Sequence, residues 1–272
     1  MLAIVIGSAS LVSGCATDSL ARDETLNWSA DRLYAEAKDE MNSGNWAAAV
    51  KMLEKLESRY PFGRYAQQAQ IDTAYAHWKE NEIGLSLAAI DRFLKLYPNH
   101  ERVDYMLYLK GLVNFNDRST LFTHITGEDL AERDPKAARE AFDSFKELLT
   151  RFPKSDYAED AASRMNFLIN TLASNDVHVA RFYMRRGATL AAVNRAQNVV
   201  KSYQEAPALE EALAIMVAGY QQLGLDTLSQ DARRVLQKNF PQSVYLTKPY
   251  DPKLRGGVES KSPSVWSKLK FW

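Results

Sequence analysis

Cysteine is all but absent: Cys15 is the single one in 272 residues, so no intramolecular disulfide framework is possible. Histidine is scarce as well. His77, His100, His124 and His178 include no pair at metal-ligand spacing, which argues against a His/Cys zinc site. An excess of one charge is missing too, because 34 Lys and Arg balance 34 Asp and Glu. That balance argues against a bulk nucleic-acid binder and against an acidic disordered chain. The signatures GxGxxG after a strand, GxxxxGK[ST], GxSxG and HExxH do not occur. No catalytic residue, metal or cofactor is therefore assigned, and an enzyme is not expected. Adjacent acids such as Glu210-Glu211 read as solvated surface, and Glu128-Asp129 as a weak cation candidate at most. What is present is ordinary for a folded protein: 46% apolar and 25% charged residues.

Residues 1–17 carry no charged side chain. The run MLAIVIGSASLVSGC is too short to span a bilayer, which needs about 20 apolar residues. It reads as a secretory leader with a small-residue cleavage site, although no Lys or Arg precedes it. Val12-Ser13-Gly14-Cys15 resembles the lipobox of bacterial lipoproteins. The resemblance implies that Cys15 is acylated and becomes the new N-terminus; this covalent lipid is the only prosthetic chemistry expected. Ala16, where an Asp favours inner-membrane retention in enterobacterial lipoproteins, points to the outer membrane. The expected division is a signal peptide at 1–14 and a lipidated tether at 15–29.

Past residue 30 glycine and proline are few, and apolar residues recur at three and four, the helical period. Arg59-Tyr60-Pro61 recurs as Leu96-Tyr97-Pro98, Arg151-Phe152-Pro153 and Asn239-Phe240-Pro241, with Ser202-Tyr203-Gln204 as a weaker copy. Twelve residues before each anchor lies a small residue: Ala49, Ser86, Ala141, Ala192 and Ser229. Eight before lie Leu53, Ile90, Phe145, Ala196 and the exception Arg233; five before lie Leu56, Phe93, Leu148, Val199 and Leu236. An earlier helix carries Ala37, Ala74, Gly111, Ala180 and Val217 at its point of close approach.

This pattern resembles the tetratricopeptide repeat, a helix–turn–helix unit. The expected fold is all-α, a right-handed solenoid of five such helix pairs spanning 30–241, with units 30–61, 65–98, 103–153, 157–204 and 207–241. The third unit has an 18-residue insertion near 116–134, polar with a Leu121, Phe122 and Ile125 cluster. The fourth has 14 extra residues before Ala180; at 3.6 residues per turn these lengthen a helix without rotating its face. One helix of about 30 residues, ended by Gly187, is the result. Residues 242–272 form a basic, aromatic extension.

Several stretches carry a closer resemblance: RYPFGRYAQQAQIDTAYAHWK (59–79), AIDRFLKLYP (89–98), DYMLYLKGLVN (104–114), RDPKAAREAF (133–142) and RRGATLAAVNRAQ (185–197). They are similar to the BamD, or ComL, family of lipoproteins of the outer-membrane β-barrel assembly machine. The resemblance implies a non-catalytic scaffold, lipid-anchored on the periplasmic face of the outer membrane. It implies three sets of partners: the POTRA domains of BamA, accessory lipoproteins and unfolded outer-membrane barrel proteins. A peptidoglycan-associated scaffold is the alternative. In tetratricopeptide proteins the first helix of each pair lines a concave surface. Here those positions include Tyr34, Tyr75, Trp78, Tyr105, Tyr108 and Phe115 in the first three units. The last two units have Ser174, Val177, Arg181, Met184, Glu211, Ala214, Ala218 and Gln221, with no aromatic residue. The aromatic half is the expected receptor for substrate peptides; the alternative is that several of these rings pack under the insertion 116–134. Asn194 and Arg195 match the family's Asn-Arg, where contact with BamA is implied. In the tail, Trp266, Leu269 and Trp272 at three-residue spacing are candidates for partner docking. A membrane surface, or the solenoid itself, is the other possible seat for the tail.

Overall fold

A computed structural model describes residues 23–115 and 135–254. Cys15, the segment 116–134 with Glu128 and Asp129, and Trp266, Leu269 and Trp272 lie outside them. The described residues hold ten α-helices and no strand. They are α1 (Ala30–Asn42), α2 (Trp46–Arg59), α3 (Arg64–Lys79), α4 (Ile83–Leu96) and α5 (Val103–Asn114). They continue as α6 (Lys136–Arg151), α7 (Ala158–Arg185), α8 (Thr189–Ser202), α9 (Leu209–Gln222) and α10 (Asp226–Asn239), followed by a short 3-10 turn at Val244–Leu246. The fold is all-α, as expected, and consecutive helices pack as tetratricopeptide-like pairs. Two compact units divide inside α3, one ending at Ala69 and one beginning at Gln70.

The repeat anchors are helix stops. Tyr60, Tyr97, Phe152, Tyr203 and Phe240 each cap a second helix with φ between −128° and −135° and ψ between 54° and 69°. A following proline disfavours the α region for the residue before it, which ends the helix there. Tyr203 adopts the same conformation before Gln204, so the aromatic ring's packing suffices where proline is missing. Phe93 shows the packing in the second pair, 5.3 Å from the Tyr97 ring.

A second repeated position lies at the turn inside each pair. Gly44, Asn81, Gly187 and Gly224 have φ of 78°, 66°, 75° and 72°. Each stands 17 residues before its anchor, at 61, 98, 204 and 241. Glycine takes this left-handed conformation at no steric cost, and asparagine is the residue that best replaces it.

The small positions meet as the spacing requires. Ser86 Oγ donates to the Ala74 carbonyl at 2.8 Å and Ser229 Oγ to the Val217 carbonyl at 3.0 Å. Both pairs bring together the two small positions of one repeat. In the third pair Gly111 lies against the Phe145 ring, where any Cβ would collide with ring atoms. Leu53, Leu56, Ile90, Phe93, Phe145 and Leu148 are fully buried. Arg233, which breaks the pattern, is exposed and donates to the Leu246 carbonyl at 2.9 Å. The long helix α7 runs 28 residues and stops two residues before Gly187. On its inward face Ala161, Leu168 and Leu172 are buried, and Met165, Val179 and Tyr183 are half-buried.

Gly111→Ala should overpack the α5/α6 contact and cost about 1–3 kcal/mol, read as a lower urea midpoint. The exposed Gly84→Ala, which meets open space, should not lower it.

Candidate functional surfaces

The aromatic residues selected from the first helices are half-buried, and each has a ring neighbour or a bonded partner. In the first unit Tyr34 lies 5.5 Å from Tyr65, whose hydroxyl is bonded to Asp31. In the second unit the structure brings Trp78 to 5.8 Å from Tyr75. Tyr105 and Tyr108 share Tyr157, at 5.5 and 4.8 Å, and the second contact is stacked with 18° between planes. Tyr108 donates its hydroxyl to Asp160 at 2.7 Å. Phe115 stands 5.7 Å from Phe167, with the Arg164 guanidinium 5.0 Å above its ring. Arg164 in turn donates to Asp160 at 2.5 Å. Burial, and then neighbouring Tyr75 and Asp72, push the Tyr105 hydroxyl above its ordinary value. Burial and the bond to Asp160 do the same for Tyr108. Half-buried rings held beside a neighbouring ring are preorganised for further aromatic contacts.

Tyr157, Asp160, Arg164 and Phe167 complete this surface and were not singled out from the sequence. Phe167 carried a signal: it falls outside the buried stripe of α7 and is 41% exposed.

Asn194 is exposed on α8. Arg195 is half-buried and donates to Asp176 at 3.2 Å. Asp176 comes from α7 and is 0% exposed. Asn198 Nδ2 also reaches it at 2.5 Å, and Arg139 lies 3.7 Å away. The fork offered to a partner's carboxylate thus already holds an internal one. Part of the guanidinium faces solvent, with 42% of the side chain exposed. Nearby, Arg139, Lys146 and Lys201 line a cleft of about 420 Å³ with Tyr203 at its wall.

The first-helix positions of the last pair, with Arg181 of the fourth, face the chain's own C-terminal segment. Arg181 donates to both oxygens of Glu211, at 2.9 and 2.8 Å. Tyr250 donates to Glu211 at 3.1 Å, and Arg185 donates to the Pro252 carbonyl at 3.3 Å. Burial and the Glu211 charge push the Tyr250 hydroxyl up. Tyr245, Lys248 and Pro249 face Ala214, Ala218 and Gln221 across a cleft of about 470 Å³. One correction follows. Glu211 is not solvated surface: its side chain is 13% exposed because Arg181 neutralises it in place. Residues 245–252 of the extension pack back on the last helix pairs.

Arg195→Glu should place a second carboxylate against buried Asp176. Asn198 and Arg139 still hold Asp176, so the loss is that of one charged hydrogen bond, about 1.5–3 kcal/mol, and the melting temperature by circular dichroism should fall by several degrees. Asn194→Glu, on the exposed face, should leave the melting curve unchanged and is the cleaner probe of partner contact.

Among the described residues no helix is long and apolar enough to cross a membrane. A family model described as YfiO, outer membrane lipoprotein, matches residues 27–246. Outer membrane protein assembly factor BamD of Neisseria meningitidis serogroup A is 48% identical over 255 residues, covering 93% of this chain and 95% of that protein. The factor of the same name from Vibrio cholerae is 41% identical over 230 residues, 85% of this chain and 94% of its own length. That of Xylella fastidiosa strain Temecula1 is 34% identical over 268 residues, 98% and 91% of the two chains. With one family model spanning most of its length and such relatives matched nearly end to end, the chain belongs to the YfiO family of outer membrane lipoproteins.

Proposed function

We propose that the protein is a non-catalytic scaffold and receptor of outer-membrane barrel assembly. It is anchored to the periplasmic face of the outer membrane by a lipid on Cys15. Unfolded barrel proteins are received on the aromatic surface of α3, α5 and α7, and the POTRA domains of BamA dock at the exposed side of α8 around Asn194. The observation that carries the receptor reading is the clustering of Tyr75, Trp78, Tyr105, Tyr108 and Phe115 with Tyr157 and Phe167. A helical core needs buried rings, whereas these keep partial exposure. The corresponding face of the last pair is occupied by 245–250, which leaves the aromatic half, among the described residues, without such a segment across it. An extended chain ending in Phe or Trp supplies rings that stack there.

The described extension also changes where the tail is cut. Accessory lipoproteins are assigned to the segment beyond 254, with Trp266, Leu269 and Trp272 as anchors, since buried tryptophans dominate interface energies.

Tyr75→Ala with Tyr108→Ala should weaken binding of a barrel C-terminal peptide. Two lost aromatic contacts at about 0.5–1.5 kcal/mol each correspond to roughly fivefold or more. Tyr108→Phe, which keeps the ring, should retain most of the affinity. Unchanged affinity in a folded double variant removes the receptor reading. Deleting 255–272 should leave the melting curve intact and deplete one component from the purified complex. Loss of no component would remove the tail from the partner surface.

A further inference from the structure

The first helix pair has two ends of different character. At one end is the α1–α2 turn with Ser43 and Gly44. At the other are the start of α1, the end of α2 and the loop 60–63. Thirteen residues of α1 set the ends about 20 Å apart at 1.5 Å per residue. The chain enters at the second end and is clipped there. Asp23 accepts from Lys55 at 2.7 Å and from Arg59 at 2.5 Å. Arg59 also bonds to the Thr25 carbonyl, and Tyr60 donates its hydroxyl to the Trp28 carbonyl at 2.8 Å. The Lys55 bond, with Thr25, holds the Asp23 carboxyl well below the usual carboxylate range, so the clip is ionised at neutral pH.

Flanking this clip are apolar side chains with little cover. Phe62 is 90% exposed, Leu26 65% and Tyr60 38%. The surrounding cations are matched or spread over rings, Lys55 and Arg59 with Asp23, Arg32 over Trp28 at 4.0 Å and Arg64 over Tyr65 at 4.8 Å, while Glu24 beside Leu26 is exposed. An apolar tip with a tyrosine, a tryptophan and arginines behind it has the composition of a membrane–water interface. The tether says what lies opposite. From Cys15 to Asp23 is eight residues, which span at most about 29 Å fully extended. A lipid on Cys15 therefore holds this end, the nearer one along the chain, within about 29 Å of the bilayer.

We propose that Phe62, Leu26 and Tyr60 form a lipid-facing surface that seats in the headgroup region of the membrane holding Cys15. The contact fixes how the first helix pair stands on that membrane, with the 43–44 turn pointing away. Tethering makes the contact intramolecular, so a small apolar tip suffices. The inference rests on the lipid-anchor reading, and the experiment separates the two.

The full-length lipidated protein is placed in phosphatidylethanolamine–phosphatidylglycerol vesicles. Acylation leaves Cys15 without a free thiol, so Phe62→Cys and Ser43→Cys each supply the one site for a nitroxide label. Collision with oxygen reports lipid, and collision with a water-soluble nickel chelate reports solvent. The label at 62 should shift toward oxygen on vesicle binding, with an oxygen-to-nickel ratio above that at 43; the label at 43 should not shift. A vesicle-bound protein whose two positions stay equally water-accessible overturns the lipid-facing surface and leaves the anchor standing. A protein that does not float with vesicles, and that labels at a second thiol, overturns both.

Discussion

Everything in this chain is counted from the aromatic residue that ends each second helix. Tyr60, Tyr97, Phe152, Tyr203 and Phe240 leave the α region at nearly the same φ and ψ. Once that stop is fixed, helical geometry places the buried positions four and seven residues before the aromatic residue and the small contact eleven before it. Ala74 beneath Ser86, and Val217 beneath Ser229, are the same contact in two repeats. Such pairs bury little alone and gain stability by stacking on neighbours. The close approach at Gly111 shows how little slack the stacking leaves.

The repeats tolerate additions where the register is not disturbed. Fourteen extra residues in the fourth unit extend α7 at its start and leave Ala180 and Gly187 in step. That longer helix carries Tyr157, Asp160, Arg164 and Phe167, which reach the rings of α5. The aromatic surface is therefore a consequence of the insertion as much as of the repeat.

Local periodicity made the helices, their order and most of the core legible, because Leu53, Ile90, Phe145 and Val199 repeat at fixed distance from an anchor and are buried where predicted. The turn glycines were partly legible; Asn81 hid the pattern by standing where the other turns have glycine. What sequence did not reveal were contacts between residues far apart. Asp176 meets Arg195 and Asn198 across 19 and 22 residues, and Glu211 meets Arg181 and Tyr250 across 30 and 39. No spacing announces such pairs. Glu211 looked like surface because its partners lie in other segments, and Arg195 looked available because Asp176 sits amid an apolar helix stripe.

The two ends of the second unit are thus chemically unlike: rings at α3, α5 and α7, and a self-docked segment at α9. The most direct measurement of the receptor reading is photo-crosslinking in cells from a probe at Trp78, compared with one at Ala218 beneath the docked segment. Crosslinks to barrel proteins that have not yet inserted, strong from 78 and weak from 218, are the predicted result. Crosslinks of equal strength from both positions, or none from 78 in a folded and anchored protein, would contradict it.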